Sequence, residues 1–416
     1  MAHNYRVISA DSHLDLRPEV WTHRVPGKWR ERAPKTFVMS DGSHAVVCDG
    51  SEPQTIGITR NVGVSFEEIP FMVPKFSEPV GNGTAEQRLQ EQDRDGIDAE
   101  IMFTWANKMF ESAKDQELYL ALVRAYNEYL AEEYMAVAPE RLFPQGTIPT
   151  TGLEDAVREL KHCAELGLKG VTLYTFPSGH GYPTPEDDRF WAAAIDVNIG
   201  LASHGGGRLG GFGGGGRQHE PVFKYPRVIK SSQNHKHDAL DLLFSNQNGS
   251  TAGMAAMQMA YAGVFDRFPR LQIYFAETMA GWIPFCLFML DDNYRRYQPM
   301  MRHFWGVDDL KRKPSEYIKE HTYWGTLYDP VGIEVRSAIG PDRIMFASDF
   351  PHAAGDWPDT QKIIEDMFAG VPENEKALML AENAIRFFHI DSGTAERTER
   401  LKDRRNSGGN IDTRAS

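Results

Sequence analysis

Short apolar stretches alternate with helical patterns along most of this chain, and this alternation limits the fold more than any other feature. Residues with β-branched or aromatic side chains gather in eight short segments, and amphipathic stretches separate many of them. Such alternation is typical of parallel strands connected by crossover helices. We therefore expect strands at residues 5–11, 99–103, 142–148, 170–174, 200–203, 271–275, 323–326 and 344–347.

Eight strands interleaved with helices predict an α/β fold of the (β/α)8 or TIM-barrel class, with a doubly wound open sheet as the alternative. The chain has 416 residues, a length that such barrels often use as one domain. We predict one barrel domain over residues 1–390, with an N-terminal insertion at about 16–83 and a glycine-rich flap at about 205–250 after the fifth strand. Residues 391–416 carry few apolar side chains, which predicts a polar C-terminal tail.

Composition and charge narrow the class of partner. The net charge of −13 disfavours nucleic acid and anionic membranes, since both require clustered Lys and Arg. The three cysteines lack CxxC spacing, and the first residues, MAHNYRVISADSH, lack the features of a signal peptide. We therefore expect a cytoplasmic enzyme that acts on a small molecule. The apolar-rich stretch at residues 280–292 predicts a homo-oligomer.

Polar side chains that can bind a metal follow four of the predicted strands. Asp11 and His13 close the first strand two residues apart, so both side chains point to the same side. His204 follows the fifth strand, Glu277 the sixth and Asp349 the eighth. In a barrel these positions share the carboxyl-terminal face, where active sites form. Each residue alone is explained by capping or hydrogen bonding, but together they predict a site for one divalent ion, zinc by preference and manganese or another ion as the alternative.

Four short motifs also carry a family resemblance. The motifs are DSHLD at residues 11–15, SHGGG at 203–207, FAETMAGW at 275–282 and FASDFPH at 346–352. They resemble the amidohydrolase-related family, a branch of the amidohydrolase superfamily that also holds aminocarboxymuconate-semialdehyde and γ-resorcylate decarboxylases. The similarity extends from about residue 5 to residue 390, and its most specific element is the eighth-strand motif.

The resemblance implies four metal ligands: Asp11, His13, His204 and Asp349. It also implies that Asp349 handles a proton. In a hydrolase, His204 would hold the metal and help to shape the site for the substrate carbonyl. Relatives often have His-x-His at the first strand, so a second register that uses His13 with Asp15 stays open. Relatives also commonly have a histidine where this chain has Glu277. For Glu277 we expect a polar catalytic role rather than direct ligation.

Five further residues are candidates for substrate contact. His352 follows Asp349 by three residues, and it could contact substrate or support the ligands. Trp105 and Trp324 fall near predicted strand ends, where they could form a pocket wall. Arg208 and Arg217 lie in the predicted flap, where they could bind a substrate carboxylate.

Three functions fit these residues. From the sequence we favour a hydrolase, which would activate water on the ion to cleave an amide, ester or lactone. A non-oxidative decarboxylase of an aromatic or muconate-type acid is the alternative. A barrel without a metal, acting as a lactonase or a binding protein, is the third reading, and Glu277 motivates it.

Overall fold

The structure is a computed structural model, and it describes residues 5–55, 62–65, 67–68, 71–76, 80–104, 109–204, 209 and 248–390. Four sequence predictions therefore lie largely or wholly outside the described residues. These are most of the flap, the C-terminal tail at 391–416, and the substrate contacts of Trp105 and of Arg208 and Arg217.

All eight predicted strands are present in the described residues, together with a small additional sheet. The strands are β1 (Ile8–Leu14), β2 (Lys35–Val38), β3 (His44–Val47), β4 (Gln54–Thr55), β5 (Ala99–Thr104), β6 (Leu142–Pro144), β7 (Gly146–Thr147), β8 (Gly170–Thr172), β9 (Gly200–His204), β10 (Ile273–Ala276), β11 (Thr322–Thr326) and β12 (Ile344–Phe346). The predicted third strand is interrupted at Gln145 and forms β6 and β7. The first strand begins and ends three residues later than predicted.

Helices follow most of the parallel strands. They are α1 (Ala85–Asp95), α2 (Gln116–Tyr129), α3 (Leu153–Glu165), α4 (Asp188–Val197), α5 (Asn248–Tyr261), α6 (Val264–Arg267), α7 (Ile283–Trp305), α8 (Pro314–His321), α9 (Pro330–Glu334), α10 (Arg336–Ile339), α11 (Thr360–Met367), α12 (Glu373–Ala377) and α13 (Asn383–Phe388). Their ends carry the expected signals: Thr84 caps α1 through the Gln87 amide, and Gly96 ends it with a φ of 71°. No helix in the described part of the chain is both long and apolar enough to cross a bilayer.

The strands pair in parallel and in chain order. One sheet has the order β1-β5-β6, and the other has the order β7-β8-β9-β10-β11-β12. Gln145 donates its backbone N–H to the Met102 carbonyl at 2.8 Å, and Gly146 then pairs with Val171, so the third strand passes from one sheet to the next. This order confirms the predicted α/β fold class.

The free edges of the two sheets meet between β1 and the segment after β12. The Asp349 N–H donates to the Asp11 carbonyl at 3.0 Å, and the His13 N–H donates to the Phe350 carbonyl at 2.7 Å. The described residues contain no ladder between β1 and β12. A fully closed barrel therefore stays a prediction.

Side-chain alternation along the strands divides the core into two parts. On β10, Ile273 and Phe275 belong to the core that the helices cover, whereas Tyr274 and Ala276 belong to the core on the opposite face. Phe388 of α13 packs in this second core and lies 2.8 Å from the position that a Cβ would take on Gly200, where β9 begins. Helix α13 thus covers the amino-terminal end of the strands and leaves the carboxyl-terminal end for the site.

The N-terminal insertion contains a small antiparallel sheet. Strands β2 and β3 are antiparallel with Lys35 opposite Val47, and β4 pairs with the other edge of β3. The stretch that predicts a homo-oligomer lies at the start of α7, where Phe285 and Phe288 are exposed. The oligomeric state stays a prediction.

Candidate metal centre

Strand β1 carries two of the predicted ligands within its length rather than after its end. The prediction that the strand ends at Asp11 is wrong, because β1 continues to Leu14. Asp11 and His13 are both almost completely buried, and their spacing of two residues puts them on one side of the strand. The Nε2 atom of His13 lies 3.6 Å from Asp11 Oδ1.

The last residue of β9 completes this group from the neighbouring sheet. His204 Nε2 lies 3.2 Å from His13 Nε2 and 3.3 Å from Asp11 Oδ2. The ring of Phe103, at the end of β5, lies 4.9 Å from the His204 ring between centroids. Sequence reasoning missed Phe103 because an aromatic residue in a strand is ordinarily a core residue.

Asp349 reaches the same group from the segment after β12. Its Oδ1 atom lies 2.9 Å from His13 Nε2 and 3.3 Å from His352 Nδ1. Its backbone has a φ of 52°, which is uncommon for a residue other than glycine and is often retained at functional sites. The Asp349 N–H bond to the Asp11 carbonyl fixes this segment against β1.

His352 packs behind the predicted ligands. Its ring stacks on that of His13 at 3.7 Å between centroids, and its Nε2 atom lies 3.3 Å from Asp15 Oδ2. Asp15 therefore contacts His352, whereas Asp11 contacts His204. This arrangement supports Asp11 rather than Asp15 as the first-strand partner of His13, and it gives His352 a supporting position.

Glu277 follows β10 and faces His204. Its Oε2 atom lies 3.5 Å from His204 Nε2. Glu277 and Met279 have φ values of 54° and 57°, and the N–H groups of Thr278 and Met279 both donate to the Gly325 carbonyl. The neighbouring strand β11 thus stabilises a strained turn, and this turn orients Glu277 toward the site.

The contact distances fit ligands of one metal ion. Ligand atoms that each lie about 2.1 Å from an ion stand roughly 3.0–3.4 Å apart, and the contacts above range from 2.9 to 3.6 Å. Both carboxylate oxygens of Asp11 are buried and form no hydrogen bond in the described residues. Three overlapping groups could hold an ion: Asp11, His13 and His204; His13, Asp349 and His352; Asp11, Glu277 and Asp349.

Burial and opposite charges compete in setting the protonation of the histidines. Burial lowers the pKa of His13. Burial also opposes the charge on His204, but the carboxylates of Asp11, Glu277 and Asp349 together outweigh it and raise the His204 pKa to about 9. For His352 burial again opposes the charge, but the carboxylates of Asp15 and Asp349 raise its pKa to about 10.

The two carboxyl groups at the strand ends shift in opposite directions. Burial opposes the charge on Asp349, but hydrogen bonds from His13 and His352 hold its pKa well below the usual range. Burial, together with the nearby Asp349 charge, raises the pKa of Glu277 to about 7. The raised pKa values of His204 and His352 favour their protonated forms beside the carboxylates. A divalent ion that binds here would compete with these protons.

Trp324 does not lie with these residues. Its side chain is 1% exposed and packs in the helix-covered core, stacked on Phe275 at 5.3 Å and edge-on to Trp282 at 5.3 Å. Tyr323, one residue earlier, points to the opposite face. This packing argues against the predicted substrate contact of Trp324.

A family model described as Amidohydrolase matches residues 85–390, which is well over half of the chain. The chain belongs to this amidohydrolase family. The match confirms the family resemblance of the sequence motifs, and it includes His204, Glu277 and Asp349. Asp11 and His13 precede the matched range.

Two decarboxylases are among the relatives in sequence. The chain is 21% identical over 306 residues to 2-amino-3-carboxymuconate-6-semialdehyde decarboxylase of Dictyostelium discoideum, covering 73% of this chain and 76% of that protein. It is 24% identical over 324 residues to γ-resorcylate decarboxylase of a Rhizobium species, covering 73% of this chain and 86% of that protein.

Solved structures agree on the fold. An amidohydrolase from Mycobacterium avium subsp. paratuberculosis has a TM-score of 0.68 at 17% identity, covering 94% of this chain and all of that one. The 5-carboxyvanillate decarboxylase of Novosphingobium aromaticivorans, bound to manganese and 4-hydroxy-3-methoxy-5-nitrobenzoic acid, has a TM-score of 0.60 at 18% identity, covering 93% of this chain and 96% of that one.

These relatives overturn the function that the sequence alone favoured. The prediction of a hydrolase is wrong, because the sequence relatives and several of the structural neighbours are decarboxylases. The metal-binding groups are common to both reactions, so the ligands by themselves could not separate them. The preference for zinc also lacks support, since two of the decarboxylases among the structural neighbours are bound to manganese.

Proposed function

We propose that this protein is a metal-dependent, non-oxidative decarboxylase of a small aromatic or muconate-type carboxylic acid. One observation carries the metal-dependent part of the proposal: two imidazoles and two carboxylates from β1, β9 and the segment after β12 converge at ligand spacing. The decarboxylases among the relatives supply the reaction type. A small-molecule substrate also agrees with the acidic composition of the chain.

Four side chains would hold the ion: Asp11, His13, His204 and Asp349. Mixed imidazole and carboxylate ligands suit several divalent ions, and we propose manganese because the related decarboxylase contains it. When bound, the ion supplies positive charge that anchors a substrate carboxylate together with an adjacent hydroxyl group. His352, stacked on His13 and bonded to Asp15, would keep the His13 ring and Asp349 in place.

The reaction also requires a proton donor. Loss of carbon dioxide breaks the bond between the substrate carbon and its carboxylate, the electron pair stays on that carbon, and a proton must reach it. Asp349 Oδ1 is buried and lies 2.9 Å from His13 Nε2 and 3.3 Å from His352 Nδ1. Glu277 has a side chain that is 23% exposed, and its one ion-pair contact in the described residues is to His204. We therefore assign proton delivery to Glu277 Oε2, which regains its proton from water, and ligation to Asp349.

The test is decarboxylation of a defined panel by protein loaded with Mn²⁺. The panel contains 2,6-dihydroxybenzoate and 5-carboxyvanillate, with 3-hydroxybenzoate as a matched acid that lacks a hydroxyl beside the carboxylate. We expect carbon dioxide and the corresponding phenol from at least one of the first two acids and none from the third. If manganese-loaded protein releases no carbon dioxide from either, the proposal of an aromatic carboxylic acid as the substrate fails.

Two variants separate the roles of the carboxyl groups. Asp349→Asn should lose Mn²⁺ binding and turnover together. Glu277→Gln should still bind Mn²⁺ but should no longer exchange the ring hydrogen of the phenol product with deuterium from solvent, which is the reverse of proton delivery. Unchanged exchange in Glu277→Gln would refute the assignment of the proton donor.

A further inference from the structure

Arg88 of α1 is a buried cation whose contacts converge on the backbone beside the metal centre. Its side chain is 1% exposed, and its Nε atom donates to Glu100 Oε2 at 2.7 Å. Its Nη2 atom donates to the carbonyl of His13 at 3.1 Å and to that of Phe350 at 3.3 Å. The guanidinium also lies over the Phe350 ring, 4.4 Å from the centroid.

These two carbonyls belong to the two chain segments that supply ligands on either side of the sheet edge. His13 lies on β1, and Phe350 directly follows Asp349. The Phe350 carbonyl accepts from the His13 N–H at 2.7 Å as well as from Arg88. Because no ladder joins β1 to β12 in the described residues, a few bonds fix the position of Asp349 relative to His13. Arg88 makes two of them with one planar group.

We infer that Arg88 is a positioning residue, which sets the distance between the His13 and Asp349 side chains and so the affinity of the site for its ion. This inference rests on the metal-dependent function proposed above. Arginine suits the role because its rigid fork reaches several acceptors at once, whereas the ammonium group of lysine is a single point of charge. Partners that orient metal ligands typically change metal affinity about 10–100-fold when they are removed.

A purely structural role for Arg88 makes a different prediction. Glu100 is buried, and removal of Arg88 alone leaves its charge without a cation, which destabilises any fold. Neutralising both partners removes that penalty. Glu100→Gln keeps an oxygen that can accept from Gln92 Nε2, the second donor to Glu100. If Arg88 serves only to balance Glu100, the double variant should therefore recover metal binding along with stability.

The experiment compares wild type with Arg88→Met/Glu100→Gln, with Arg88→Lys and with the control Arg94→Met. Arg94 lies on the same helix, over the Trp357 ring and away from both carbonyls. Mn²⁺ affinity is measured by calorimetry and Tm by heating the metal-free protein. Hydrogen exchange of peptides that contain residues 11–15 and 347–352 is measured on the same metal-free samples.

We expect the double variant and Arg88→Lys to stay folded, to bind Mn²⁺ about 10–100-fold more weakly, and to exchange faster in both peptides, while Arg94→Met behaves as wild type. Wild-type affinity and exchange in either folded variant would overturn the inference and leave the proposed function intact. Absence of Mn²⁺ binding in wild type would instead overturn the proposed function, and unchanged exchange in the variants would then overturn the inference independently.

Discussion

Binding of Mn²⁺ should raise the melting temperature of the metal-free protein. The size of the increase follows from the ratio of Mn²⁺ concentration to Kd and from the length of the chain. Asp11, Glu277 and Asp349 bring carboxylate oxygens within 4.8 Å of one another, so an ion that binds there stabilises the folded state selectively. At a free concentration of 100 times Kd, the stabilisation is about 2.7 kcal/mol. For 416 residues the unfolding entropy is about 0.9 kcal/mol/K. The expected increase in Tm is therefore about 3 °C.

Loss of one ligand should nearly remove this shift. If His204→Ala weakens Kd about 100-fold, the same Mn²⁺ concentration stabilises the variant by only about 0.4 kcal/mol, or roughly half a degree. His303→Ala is a matched control, because His303 is an exposed histidine on α7. Differential scanning fluorimetry with and without Mn²⁺ measures both values. A full shift in His204→Ala, or no shift in wild type, would refute the assignment of the ligands.

Substitutions at two further positions, Gly325 and Trp324, test the packing around the site. Gly325→Ala would place a Cβ 2.4 Å from the Tyr274 hydroxyl and 3.1 Å from the Glu277 amide nitrogen. We therefore expect the free energy of unfolding, measured with denaturant, to fall by about 1–3 kcal/mol. Turnover should also fall. Gly27→Ala, with no atom within 4 Å of the new Cβ, is the neutral comparison. Trp324→Ala should lower the free energy of unfolding by about 3–5 kcal/mol. Trp324→Phe should fold and should have the same KM for the substrate as wild type. A raised KM in Trp324→Phe would indicate that this residue does contact the substrate.

Much of the architecture could be predicted because strand and helix periodicities differ. The presence of eight parallel strands and their positions in the chain followed from that alternation, and the polar residues at strand ends pointed to one face. Strand β1 was placed three residues too early because Asp11, Ser12 and His13 are polar, and polar residues ordinarily mark the end of a strand. These residues continue the strand because all three are buried: Asp11 and His13 face the site, and the Ser12 hydroxyl donates to the Ile101 carbonyl.

Side-chain direction and long-range partners were harder to predict. Trp324 differs from Tyr323 by one position, and that step decides which face of the sheet it occupies. Arg88 lies in the strongly polar stretch AEQRLQEQDRD, where an arginine is expected to be solvated. Its partners Glu100 and Phe350 are 12 and 262 residues away in sequence, so only the folded chain brings them together.

The choice between hydrolase and decarboxylase could not come from the ligands, because both reactions use imidazoles and carboxylates around one ion. The departure at Glu277 did indicate an unusual site. Its position is defined by the turn after β10, where the Gly325 carbonyl accepts from two successive amides. That turn depends on the neighbouring strand, so its geometry is not encoded locally.

A titration of activity against bound metal tests directly whether decarboxylation depends on the metal ion. Protein stripped with a chelator is reloaded with Mn²⁺, and release of labelled carbon dioxide from the best carboxyl-labelled acid of the panel is followed together with metal content. Decarboxylation should be absent without metal, rise in proportion to bound Mn²⁺ and level off at one ion per chain. Undiminished release of carbon dioxide by the stripped protein, or by a His204→Ala variant that binds no metal, would contradict a metal-dependent decarboxylation.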